Sequence, residues 1–112
     1  MYLFVYGSLM NDSPHPMAEF LRSHAEFLGE GSMAGEKLDL GEYFGAVFLE
    51  NAKTQVPGHI FKLSEPEKVL EILDRYEGIG EEFPQPQEYV RVEKPVNFQG
   101  GIIFCWVYLL IK

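Results

Sequence analysis

Apolar and polar positions are distributed along this chain in patterns that predict a β-rich fold with two helices. Tyr2-Leu3-Phe4-Val5-Tyr6 is an unbroken aromatic and aliphatic run. It is too short to span a membrane and rich in β-formers, so it predicts a buried strand that stops at Gly7-Ser8. Ser13-Pro14 predicts a helix start, with Ser as N-cap and Pro at the first helical position; Met17, Phe20, Leu21 and His24 follow at helical spacing. Between residues 25 and 49, Gly29, Gly31, Gly35, Gly41 and Gly45 separate short apolar stretches. That punctuation predicts short, bent strands of a curved sheet or small barrel. Asn51-Ala52-Lys53 reads as a turn and residues 55–63 as a further strand, irregular at Pro57-Gly58. Ser64-Glu65-Pro66-Glu67 has the form of a capping box. Behind it, Val69, Leu70, Ile72, Leu73 and Tyr76 form an apolar stripe, with Val69, Leu73 and Tyr76 setting the buried direction and Gly78 the stop. Residues 80–87 form an acidic, proline-spaced loop. Tyr89-Val90-Arg91-Val92-Glu93 alternates, so Tyr89 and Arg91 share one face. Residues 97–101 turn the chain, and 102–111 return as a long apolar strand. There is no internal repeat or linker.

Composition narrows the class. A chain of 112 residues is one domain, spanning 1–112. At this length roughly 65% of the unfolded surface can be buried, enough for one core without staples. The net charge of -8 opposes nucleic-acid and anionic membrane partners, though not a small anion held locally by amides. The single cysteine, Cys105, lies in an apolar run, which suits a packed thiol in a reducing compartment better than a nucleophile. His15, His24 and His59 are isolated in sequence, so no metal site is expected. No signal peptide or transmembrane-length segment is visible. The expectation is a soluble, cytoplasmic protein, monomeric or weakly homodimeric.

Two places carry candidate chemistry. A buried strand running into the Tyr6-Gly7-Ser8-Leu9 loop can present free backbone N–H groups as an anion or oxyanion pocket; an ordinary strand end with a tight turn accounts for the same residues. The second place is Glu77. At about 100° per residue it falls between Leu70 and Leu73, on the edge of the apolar stripe. It also sits in the last helical turn, where the dipole disfavours negative charge. Burial and dipole would both raise its pKa toward the range useful for proton transfer near neutrality. Geometry alone leaves an outward, solvated Glu77 equally open. The face shared by Tyr89 and Arg91 either belongs to the pocket or looks to solvent.

With these residues in view, the chain resembles the gamma-glutamylcyclotransferase-like family. The resemblance rests on Tyr6-Gly7-Ser8-Leu9 after the first strand and on Leu73-Asp74-Arg75-Tyr76-Glu77-Gly78. It extends through Gly35-Glu36-Lys37-Leu38-Asp39-Leu40-Gly41-Glu42-Tyr43, Val56-Pro57-Gly58-His59-Ile60-Phe61 and Tyr89-Val90-Arg91. It implies an α+β fold, a small mixed β-barrel with packed helices, and a pocket opening at the Tyr6–Leu9 loop. It also implies an enzyme of the acyltransferase or cyclising-lyase type. In that reaction the α-amine of a γ-glutamyl compound attacks its own γ-carbonyl, releasing 5-oxoproline and a free amine or amino acid. Glu77 matches the family's catalytic glutamate, as general acid and base. Tyr6, Gly7, Ser8, Leu9, Tyr89 and Arg91 would bind the small-molecule γ-glutamyl substrate, and no cofactor or metal is implied. Phe44 stands where relatives commonly have proline, and Met10-Asn11 where many have a basic residue; both bear on substrate identity. The alternative is a non-catalytic module on the same fold, binding a small metabolite or a protein.

Overall fold

The computed structural model describes residues 1–41 and 43–111; Glu42, within the third resemblance motif, and Lys112 lie outside the described residues. The chain runs β1 (Tyr2–Val5), α1 (Pro16–His24), β2 (Ala25–Asp39), β3 (Phe44–Phe48), β4 (Gln55–Leu63), α2 (Pro66–Tyr76), β5 (Tyr89–Phe98) and β6 (Gly101–Leu110). The sheet order is β3-β2-β4-β1-β6-β5, and β5 also pairs with β2 through Ser32 and Asn97. That last pairing closes five strands into a barrel and leaves β3 as an extension on β2. β1 is antiparallel to β4 but parallel to β6, so the sheet is mixed.

β1 is buried on both faces, which explains why its sequence does not alternate. Leu3 and Val5 pack with Leu21 of α1 and with Val69, Leu70 and Leu73 of α2. Phe4, together with Tyr6 just beyond the strand, packs inside the barrel against Met33, Val56, Ile60, Val96, Cys105 and Val107. Thus one short strand separates the two halves of the core. Burial pushes the Cys105 thiol up to about 12, with Glu93 acting in the same direction, so this sulfur stays a packed thiol.

Several elements differ from the sequence expectation, each for a local reason. The stretches at 26–28 and 37–39 belong to one strand of 15 residues, β2, which ends one residue before Leu40. Its glycines serve that strand rather than ending it. The register shifts between Phe27 and Gly29, and at Gly35 β2 leaves β4 for β3. A Cβ on Gly35, whose φ is 150°, would collide with the Val47 carbonyl oxygen. Both helices start later than expected. In each, a proline occupies the first turn, making the preceding residue the cap: His15 before Pro16 and Glu65 before Pro66. The Ser64 capping box does not form, since Glu65 is the N-cap and makes no side-chain cap bond. Ser13 instead accepts from the His15 amide at 3.2 Å. Gly78, at φ 76°, ends α2 as expected. Residues 97–101 turn only at Gln99-Gly100, both at positive φ, so the β5–β6 hairpin is tighter than expected. Among the described residues no helix is long and apolar enough to cross a membrane.

Candidate active site

The end of β1, the end of α2 and the start of β5 converge on a cavity of about 710 Å³. Its lining includes Tyr6, Gly7, Ser8, Leu9, Glu77 and Tyr89, six of the seven residues singled out from the sequence.

The loop after β1 is the first wall. Met10 N–H bonds back to the Gly7 carbonyl at 3.1 Å, which makes the turn. Among the described residues, the amides of Gly7, Ser8 and Leu9 have no backbone partner. Gly7 has no positive φ, and a Cβ there would meet only Phe44 Cβ at 4.0 Å. Its contribution is open space beside the amides rather than an unusual turn. The loop's exit is held from two sides. Asn11 N–H donates to His59 Nδ1 at 2.9 Å, and Arg22 Nη1 donates to the carbonyls of Asn11 and Ser13 at 2.9 and 2.8 Å.

Glu77 follows the last residue of α2 and is its C-cap. Its backbone N–H still bonds Leu73 O at 2.9 Å, so the helix fixes where the side chain begins. The residue is half-buried. Its carboxyl is pushed up to about 7, first by burial and then by the charges of Asp74 and Glu88. Among the described residues no side-chain hydrogen bond reaches that carboxyl, so nothing offsets these effects.

Two buried tyrosines form the back of the cavity. Tyr6 Oη donates to Tyr108 O at 2.6 Å and Tyr89 Oη to Phe44 O at 3.1 Å. Burial raises both hydroxyls well above their ordinary value, with Tyr89 and Glu77 adding to the rise at Tyr6, and Glu77 and Glu88 among those adding to it at Tyr89. Both are therefore neutral donors already committed to carbonyls, and they hold β6 and β3 in place around Glu77.

Arg91, expected beside Tyr89 in the pocket, does not line this cavity. It does share the Tyr89 face, but two residues along a strand carry it roughly 6–7 Å further on. There its Nε and Nη2 reach Asp74 Oδ1 and Oδ2 at 2.7 and 3.2 Å, and its guanidinium lies 4.5 Å from the Trp106 ring centroid. Tyr108 Oη, 2.7 Å away, also donates to Asp74 Oδ1. Tyr76 is a second correction. Counted in the buried stripe, it is 38% exposed, and its hydroxyl lies 3.0 Å from Ser8 Oγ at the cavity lip.

Periodicity gave no notice of four other lining side chains, His15, Lys37, Tyr43 and Glu88. Tyr43 Oη contacts both Glu88 carboxylate oxygens, at 2.8 and 2.7 Å. For that pair the sequence offered an acidic residue directly before the Tyr89 strand and the place of Tyr43 at the end of the third resemblance motif. Among the described residues no three His, Cys, Asp or Glu side chains gather as a metal site.

This arrangement combines a poised carboxyl, three amides without a partner among the described residues and a partly enclosed cavity. Solved structures share the fold. YkqA from Bacillus subtilis matches with a TM-score of 0.69 at 19% identity, covering 97% of this chain and 35% of that one. The present chain therefore spans about a third of that protein's length. An aig2-like protein from Mus musculus matches with a TM-score of 0.69 at 24% identity, over 96% of this chain and 75% of the other. A structure named gamma-glutamyl cyclotransferase gives 0.67 at 20%, over 100% and 67%. Among curated proteins the chain has no match. The family model described as gamma-glutamyl cyclotransferase, AIG2-like, matches residues 3–112, and the chain belongs to that family.

Proposed function

We propose that this protein is a γ-glutamyl cyclotransferase with Glu77 as its general acid and base. The observation that carries the reading is a carboxyl poised at about 7 lining the same cavity as three amides that have no partner among the described residues. The α-amine nitrogen of a γ-glutamyl group attacks its own γ-carbonyl carbon. A five-membered lactam forms as the bond from that carbon to the leaving nitrogen breaks. The proton lost by the attacking nitrogen passes to Glu77 and then to the departing amine, so the carboxyl ends as it began. Because the attack is intramolecular, the cavity chiefly has to hold the folded conformer of the substrate. The amides of Gly7, Ser8 and Leu9 receive the α-carboxylate or the oxyanion of the tetrahedral intermediate. Tyr6 and Tyr89 act as fixed walls. Arg91 acts at one remove, by holding Asp74 on the helix that ends at Glu77.

The test is a panel of γ-glutamyl amines and γ-glutamyl amino acids incubated with the protein, with 5-oxoproline as the readout. Release from at least one compound, abolished by Glu77→Gln, is the expected result. If the protein binds 5-oxoproline but releases none from any member of the panel, it is a binding module instead.

A further inference from the structure

His15 is tied to both the first helix and the cavity, and the two attachments together fix its chemistry. The Met17 backbone N–H donates to His15 Nδ1 at 3.0 Å, the capping bond of α1. A backbone N–H can only donate, so Nδ1 must be the acceptor nitrogen of a neutral imidazole and Nε2 must carry the proton. Nε2 lies 3.2 Å from Tyr76 Oη, with the two rings edge to face at 5.3 Å. The Nε2–H therefore donates to the tyrosine oxygen. Tyr76 must then direct its own proton elsewhere, and Ser8 Oγ stands 3.0 Å away. Either oxygen of that pair can donate; with Tyr76 as the donor, the Ser8 hydroxyl hydrogen is left unassigned. All three side chains line the cavity, beside the amides of Gly7, Ser8 and Leu9.

We infer that His15 and Tyr76 are positioning residues that set the direction of the Ser8 hydroxyl, turning it into a donor aimed into the cavity at an anionic substrate group. The chain runs one way only: Met17 N–H to His15, His15 to Tyr76, Tyr76 to Ser8, and Ser8 to the ligand. Each hydroxyl that accepts a bond becomes a better donor in the next one. The helix cap thus does a second job. It locks the tautomer on which the whole direction depends. With the tautomer reversed, His15 would accept from Tyr76, Ser8 would donate to Tyr76, and its hydrogen would be lost to the ligand.

The inference rests on the cyclotransferase reading for the identity of the anion, the substrate α-carboxylate, but not for the chain itself. Two measurements separate them. The ¹⁵N NMR signals of His15 in the unliganded protein near pH 7.5 report the tautomer without any turnover. A protonated Nε2 is expected; a protonated Nδ1 or an imidazolium overturns the chain. The second measurement is a cycle of Ser8→Ala, Tyr76→Phe and the double variant on kcat/KM. Ser8→Ala should lower kcat/KM about tenfold or more, through KM with kcat nearly held, as expected for a hydrogen bond to a carboxylate lost equally from ground and transition states. Tyr76→Phe should lower it severalfold in the wild-type background and not at all once Ser8 is alanine. His15→Asn keeps a capping side chain but cannot reach Tyr76, and should match Tyr76→Phe. Additive losses would mean that Tyr76 serves only packing, which overturns the proposal. If the wild type releases no 5-oxoproline, the cyclotransferase reading fails, and the chain is judged on the His15 signals alone.

Discussion

Asp74 and Glu77 are two carboxylates on the same helix end, one turn apart, and they live in opposite circumstances. Asp74 accepts three hydrogen bonds, two from Arg91 and one from Tyr108, so its charge is matched at close range. Glu77 is half-buried with no such partner among the described residues, and its carboxyl is held near neutrality. Asp74 is also the second cause of that rise, since its own charge disfavours another nearby. The contrast shows how one helix end can hold two carboxylates of opposite standing three residues apart: one is saturated with donors, and the other has none among the described residues.

The sharpest way to break the comparison is Glu77→Gln. It preserves shape and packing and removes the proton acceptor. If general acid–base catalysis is the role, turnover should slow by roughly 10²–10⁴-fold, a barrier higher by about 3–5 kcal/mol. A variant that folds and keeps the wild-type rate would return Glu77 to the status of an ordinary helix end.

Asp74→Asn tests the other half. It leaves the Arg91 guanidinium partly buried without its countercharge, and should cost about 1–3 kcal/mol in urea unfolding. The same change removes a negative charge near Glu77, so the Glu77 pKa should fall from about 7 toward its ordinary 4.5. A shift of the acid limb of kcat/KM to lower pH would show this. Unchanged stability together with an unshifted limb would mean that the ion pair is idle.

Stability against pH separates the two residues again. The Glu77 carboxyl is raised, so the folded protein holds this proton where the unfolded chain has lost it, between pH 4.5 and about 7. The stability it supplies is complete below pH 4.5 and is lost as pH rises through about 7. Wild type should therefore fall behind Glu77→Gln by about 1–3 kcal/mol above pH 7, the upper end being reduced for a half-buried group, and draw level at acid pH. Parallel curves for the two proteins across this range would show that Glu77 is solvated. The smallest expected effect is that of Tyr89→Phe. Losing one hydrogen bond to Phe44 O should cost about 1 kcal/mol or less in stability and a few-fold in kcat/KM. An unchanged rate would remove Tyr89 from the site.

Geometry left the burial of Glu77 open, and only the resemblance marked it as a catalytic candidate; what was legible, its place on the edge of the apolar stripe, follows from helical geometry, which is local. The two-sided burial of β1 was legible for the same reason: nothing polar interrupts Tyr2 to Tyr6. The partnership of Asp74 with Arg91 was not, because it joins residues 17 apart on different elements and depends on how α2 lies on the barrel. Tyr76 was misplaced because periodicity records that a ring is largely apolar and ignores where its hydroxyl ends. The glycines of β2 misled in another way. At Gly35 the residue marks where a strand changes partner, and sequence alone does not distinguish that from a strand's end.

The hydrogen bond from Tyr6 to the carbonyl of Tyr108 spans 102 positions, and β1 meets β6 across a similar separation. Contacts this distant in sequence carry a large loop-closure cost before they return any stability, and chains dominated by them fold in milliseconds to seconds rather than microseconds. Until β6 docks, the cavity lacks Tyr108 and the carbonyl that holds Tyr6. The complete cavity should therefore arise in a single late step of folding, when β6 docks beside β1.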